Sequence, residues 1–532
     1  MNQEANFDMN TGEPLKKPSQ KYPMTAKDYV FVILSFVISI AAVALTFWGG
    51  FKIGFTVSYV AIFALLTMIL FDKKLKPFGT LCGVLALALS GVFAFSFNGL
   101  VNFFIVVEMF VLSAIYFSSL RNWTENRTDI GLFTHIFVST FGTAFGGIGR
   151  TFASIFSGEK KGKKNVGRAL IGVAISLPLV AVVIILLSNA DEAFGEMVRN
   201  FFRDFGKTAG QITLGVLLAP FLISFGLSMK NTTRTAQDGK EGKGLASVFV
   251  VSFMALLCVA YVLYLVAQLA YFVNGFMGIL PGSTTYAQYA RKGFFELCVI
   301  AGINFAVMFG VLLVAEKKNK KPSIPVVIEC EFIGLFTLFI VATAIAKIVM
   351  YMQNYGLTTS RVFATSFMVF IAVVIAATMI RFLVNSLPVL RIAAVTAAVT
   401  LLVLGYGNVN ALVAKQNMDL YKHGVSEKLD VSYYRELGYS GLPFLYDLYK
   451  NDETYSSRAA YILCEEISRS GNFDYETGDW IESSREPGDW NMEYERGLTV
   501  LKEFAKEGYD QYYWDKYQYY YDDSPDQEYV YD

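Results

Sequence analysis

Apolar runs of membrane length, separated by short polar loops, fill the first 410 residues. A helix that crosses a bilayer needs about 20 predominantly apolar residues. The chain offers eleven such runs, at 29–50, 53–71, 78–96, 100–119, 169–188, 212–228, 246–273, 293–315, 326–350, 362–384 and 389–410. The pattern changes after Asn410. Short amphipathic stripes replace the long runs, as in Ala460, Leu463, Cys464 and Ile467, then Leu498, Leu501 and Ala505. These positions recur at helical spacing. The pattern predicts an all-α fold, a polytopic transmembrane helix bundle of about 11 spans with a small, mainly helical C-terminal extramembrane tail.

Loop charges orient the bundle. Lys and Arg accumulate on the cytoplasmic side of membrane proteins. With the N-terminal segment 1–28 inside, the inner segments hold 25 basic residues and the outer ones 7. An uncharged stretch, 131–149, is nearly long enough to be a twelfth span. Were it to cross, every later loop would flip and the balance would fall to 15 against 17. The bias therefore predicts that segment 131–155 is interfacial or re-entrant. Eleven spans then place the tail, 411–508, outside the cytoplasm. The expected localisation is the cell membrane, multi-pass, with a cytoplasmic N-terminus and an extracytoplasmic C-terminus.

Composition changes this picture in one respect. The formal net charge of +0 conceals a split. From Ala411 onward there are 12 basic and 26 acidic residues, whereas the part before it carries 33 and 19. The five Cys provide no Cys-x-x-Cys pair, and the two His, His135 and His423, are far apart. Neither a disulfide framework nor a His-based zinc site can be built from them. The run FGGIG at 145–149 lacks the Gly-Lys-Ser/Thr of a phosphate loop. No catalytic residue, metal site or cofactor is expected, and no nucleic-acid partner. The bilayer is the expected partner, with anionic lipid head groups a candidate at the lysine run 159–164.

Candidate functional residues are few. Glu108 sits near the middle of the run 100–119. A carboxyl group at that depth costs at least ~2.5 kcal/mol and should face the bundle interior or a wet cavity. It is a candidate proton, cation or substrate contact, or a protonated group bonded between helices. Lys347 is expected to snorkel to an interface. Glu329 and Glu331 read as a solvated helix start. The outer loop 189–211 carries Phe194, Met197, Val198, Phe201, Phe202 and Phe205 at helical spacing. It predicts an amphipathic helix lying on the outer membrane surface.

Several segments carry a family resemblance. TTYAQYARKGFFEL (284–297) and YMQNYGLTTSR (351–361) resemble the hallmarks of a bacterial polytopic membrane family known only as a domain of unknown function. LLSNADEAFG (186–195), LDVSYYRELGYSGLPFL (429–445) and DWNMEYERG (489–497) resemble further family elements. The resemblance runs from about residue 165 onward. It implies a bacterial membrane location and supplies no activity. The topology puts both hallmarks and the 189–211 loop on one outer face. A polar cluster of Tyr289, Arg291, Glu296 and Arg361, near Asp191 and Glu192, is thus a candidate outward-facing site for a polar or anionic ligand. Interface anchoring by the same residues is the plainer alternative.

The tail is expected to form short helices resting on the outer mouth, because its scarcity of aliphatic residues restricts any core of its own. Its last residues, 509–532, hold nine Tyr and are expected to be disordered. These features together suggest non-enzymatic transport or sensing, with an unknown ligand or protein partner on the outer face. A membrane-embedded enzyme acting on lipid-linked or envelope substrates and a membrane scaffold or interaction protein are the alternatives.

Overall fold

The computed structural model describes residues 24–47, 50–71, 76–121, 145–155, 191–231, 245–276, 294–315, 322–384, 387–426, 428–474, 479–482 and 488–506, with isolated positions between them. Four helices open the chain: α1 (Ala26–Thr46), α2 (Ile53–Leu70), α3 (Pro77–Gly91) and α4 (Gly99–Leu120). A short helix, α5 (Ile148–Ile155), precedes α6 (Glu192–Asn231) and α7 (Ser247–Phe276). Then come α8 (Phe294–Val314), α9 (Ile324–Tyr355), α10 (Thr359–Leu383) and α11 (Val389–Tyr406). Among the described residues, nine helices are long and apolar enough to cross a membrane. They coincide with nine of the runs read from the sequence. A tenth run forms α8, and 169–188 lies outside the described residues apart from Val183 and Leu187. The chain is a multi-pass integral membrane protein.

Two cores hold the bundle together. One joins α1–α4, α6 and α11 around Phe63, Leu89, Ile105, Leu112 and Ile223. The other joins α7–α10 around Met254, Met308, Ile333 and Ile375. The second core contains a buried polar chain. Tyr261 donates to Asn304, whose amide donates to Thr337 Oγ1 at 2.9 Å. Thr337 donates to the Ile333 carbonyl at 2.6 Å. Each group of this chain has a partner, which offsets the cost of placing it in hydrocarbon. In the first core α1 buries Asp28, Phe31, Ser35, Ser39 and Val43, a stripe at helical spacing. Gly215 and Gly226 of α6 pack against this helix, at Ile40 and Phe31. Small residues let helix backbones approach closely in membranes.

One end of the bundle is tied by charge. Lys230 Nζ meets Asp28 Oδ1 at 2.5 Å, and Arg121 Nη2 donates to the Lys230 carbonyl at 2.7 Å. The start of α1 and the ends of α4 and α6 therefore share a face. Helix α5 reaches the same face, with Thr151 beside Ser228 and Ser154 Oγ accepting from the Tyr22 amide at 2.7 Å. The chain leaves this face at Arg121 and is back at it by Ser154.

Two expectations change. The stretch 189–211 is not a separate surface element. From Glu192 it belongs to one 40-residue helix that continues into the span. No proline interrupts residues 192–219, so the helical ladder can run through the expected junction. The tail, in turn, has a substantial core. Asn408, at φ 43, breaks the chain from α11 into α12 (Val409–Lys422). Then follow α13 (Val431–Glu436), α14 (Leu442–Asn451), α15 (Ser456–Ser470), β1 (Gly471–Asp474), β2 (Asp479–Glu482) and α16 (Met492–Lys506). The two strands pair antiparallel. Val413, Leu445, Leu463, Ile467 and Leu501 are fully buried, and Ala414, Ala459, Ala460 and Tyr434 fill the space between them. Alanines and tyrosines complete a core that a count of aliphatic residues underrates. The Tyr-rich end, 509–532, lies outside the described residues.

Candidate functional site: a seam between the cap and the bundle

The tail sits as a cap on the end of the bundle opposite Asp28 and Lys230. Its contacts fall on three helix turns. At the α1–α2 turn, Ile53 N donates to Trp490 O at 3.1 Å and Gly54 N to Gly488 O at 3.0 Å. Gly488 has φ +98, and a Cβ on Gly54 would lie 3.1 Å from Gly488 Cα. Only glycine suits so close a pass of two backbones. Lys52 adds an ion pair to Asp489 at 3.8 Å and lies 4.8 Å above the Tyr494 ring.

At the α3–α4 turn the contacts are side chain to backbone. Asn491 Nδ2 donates to Phe93 O at 2.8 Å, and Phe97 N donates to Glu493 Oε2 at 2.8 Å. Asn98 Nδ2 donates to Asn410 Oδ1 at 2.9 Å, and Asn410 Nδ2 to Phe97 O at 3.3 Å. Glu493 is only 5% exposed. Burial pushes its carboxyl above the usual range, while the Phe97 amide, Ser440 and Asn410 pull it back.

The third contact is the α9–α10 turn, which contains the hallmark YMQNYGLTTSR. Gly356 takes φ +76, and its carbonyl accepts from Arg361 Nη1 at 2.8 Å. The Arg361 guanidinium also covers the Tyr351 ring at 4.3 Å. The turn so fixed is held by the cap. Leu357 N donates to Asn417 Oδ1 at 2.7 Å, and Asn417 Nδ2 returns to Leu357 O at 2.9 Å. Thr359 N donates to Tyr433 OH at 2.9 Å. The hallmark turn thus meets Tyr433, which belongs to the second family-like segment, 429–445. The expected packing of the tail on the mouth of the bundle left the residues of this seam unnamed; the glycine of YGLTTSR and the asparagines of the tail were the available signals.

The expected ligand residues are described only in part. Tyr289 and Arg291 lie outside the described residues. Glu296 is exposed in the first turn of α8, and Arg361 is engaged in its own turn. Helix α8 packs against α9 and α10, whereas α6, which starts at Glu192 beside Asp191, packs chiefly against α1, α2 and α5. Glu108 lies in α4, ten residues or about 15 Å below Asn98. Its Oε1 is buried with no hydrogen-bond partner, as are both amide atoms of Asn102. Six residues turn a helix by about 240° net of full turns, so these two groups face different neighbours.

The described residues contain no group of three or more His, Cys, Asp or Glu able to hold a metal ion. In the cap, burial pushes the Cys464 thiol up to about 12, so it is a neutral core group. A family model described as "Domain of unknown function (DUF4153)" matches residues 83–448. The match begins in α3, well ahead of residue 165, and stops within α14, ahead of DWNMEYERG. It crosses the boundary between bundle and cap. No curated protein and no solved structure matches the chain.

Proposed function

The chain belongs to this family of unknown function, and on that premise we propose that it is a non-enzymatic membrane sensor of the bacterial cell envelope. The cap is the recognition element, and the seam carries its state to the helices. The observation that supports this reading most is that the cap bonds directly to three helix turns, those after α1, α3 and α9. A rearrangement in the cap then has a mechanical route into six spans. Arg361 acts as a positioning residue that holds the α9–α10 turn in the shape the cap binds.

The cap lies outside the cytoplasm in this reading. The 25-to-7 distribution of basic residues supports it. So does the return of the chain at α5 to the face it left at Arg121; the stretch between, 122–144, lies outside the described residues apart from Gly142.

Transport is the second reading, favoured by the unpartnered Glu108 Oε1 at mid-membrane depth. Complementation of a deletion strain separates the two. Asn417→Ala removes both bonds to Leu357. Under sensing, this variant loses rescue at normal abundance while Glu108→Gln keeps it. Full rescue by Asn417→Ala with loss in Glu108→Gln would replace sensing with transport.

A further inference from the structure

Helices α2, α4 and α6 enclose a groove of about 380 Å³. That volume falls within the range of small-molecule sites, yet its wall has an unusual chemistry. Its polar side chains are Tyr59 and Ser113, which bond each other at 2.5 Å, and Ser113 also donates to the Met109 carbonyl. With these two groups satisfied by each other, the wall offers a polar solute no side-chain hydrogen bond, and leaving such a solute unpaired is costly. An apolar occupant loses nothing there, and an empty slot would forfeit dispersion contacts along every wall.

The dimensions narrow the occupant further. Along α2 the lining runs from Phe55 to Leu66. Eleven steps at 1.5 Å make about 16 Å, close to half of a ~30 Å hydrocarbon core. The slot starts at the cap end, since Phe55 lies one residue after the Gly54 contact with Gly488. At its edge Phe110 is 40% exposed, on a helix apolar and long enough to cross a membrane. We propose that this groove binds one acyl chain of a phospholipid from the cap-side leaflet. The chain lies between α2 and α4 with its head group near the α1–α2 turn. The site is distinct from Glu108, which projects from another face of α4, and it stands whether the cap senses or not.

The test uses the full-length protein in phosphatidylethanolamine–phosphatidylglycerol vesicles doped with a phospholipid carrying a diazirine on one acyl chain. Adducts are mapped by mass spectrometry after illumination. Labelling should concentrate on 55–66 and 106–117, above that on the exposed α7 face around Leu256 and Leu263. Ala114→Trp fills the slot, and Val106→Trp does so from a half-buried position that folding tolerates better. Each should reduce the groove adducts about tenfold, the ratio for losing roughly two buried methylenes. Val107→Trp, on the exposed face, should leave them unchanged. Labelling equal to that of α7 and indifferent to both slot variants means annular contact only and overturns the proposal. A groove occupied by another segment of this chain, seen as an intramolecular cross-link in place of lipid adducts, also overturns it.

Discussion

Replacing Lys230 with Met should destabilise the bundle by about 3 kcal/mol, the cost of breaking a buried ion pair from one side. The asymmetry of the pair makes this the severe direction. Asp28 is fully buried, whereas the Lys230 side chain is 26% exposed. Without Lys230 the carboxylate keeps its bonds from Thr25 N and Oγ1, both at 2.8 Å, but has no counter-charge. Without Asp28 the ammonium can still reach water, so Asp28→Ala should cost less, chiefly the lost helix cap at about 1 kcal/mol and the lost tie to α6. The double variant should therefore be less destabilised than the two single changes added together. Thermal unfolding in one detergent measures all three. Equal and additive losses would show that the two residues do not act as a pair.

Glu493→Ala should loosen the cap at the α3–α4 turn at a cost of roughly 1–3 kcal/mol, because it removes the acceptor of the Phe97 N–H and the carboxylate that Asn410 and Ser440 face. Glu493→Gln keeps an acceptor and should cost less. The two also differ in pH dependence. Burial raises the carboxyl's folded-state pKa above its value in the free cap, so the docked state holds its proton more tightly. Docking stability from this group is complete below the ordinary carboxylate range, about pH 4.3. It is lost as pH rises through the raised folded-state value. Glu493→Gln should flatten that slope. Hydrogen exchange in peptides covering 50–54 and 93–98 reads the docking directly. Unchanged protection in Glu493→Ala would remove this residue from the seam.

Much of the bundle was legible because a membrane span is a local signal. Twenty apolar residues announce a helix whatever they pack against, and nine described helices fall on the expected runs. The seam carries no such signal. Phe97 and Glu493 lie 396 residues apart, and one partner in the bond is a backbone amide that has no sequence signature. The cap core was underestimated for a related reason. Ala459, Ala460 and Tyr434 are individually weak indicators of burial, and only their convergence makes a core. Arg361 illustrates the limit of reading charge in isolation. An arginine at a helix start suggests a ligand contact, yet its guanidinium is shared between the Gly356 carbonyl and the Tyr351 ring. The hallmark's glycine, tyrosine and arginine are joined by the shape of one turn, which their spacing alone does not reveal.

An extracytoplasmic cap locked to the bundle can be tested at one residue pair. Lys52 and Asp489 meet across the seam at 3.8 Å and both reach the surface in part. In a chain whose five native Cys are replaced, Lys52→Cys with Asp489→Cys is treated in intact cells with a short, membrane-impermeant bifunctional thiol-reactive cross-linker. Protease cleavage between the two sites then reveals whether the fragments stay joined. The cross-link is expected to form in intact cells at a yield matching that in lysed cells. A cross-link that appears only after lysis would contradict the outward placement of the cap, and its absence under both conditions would contradict the docking itself.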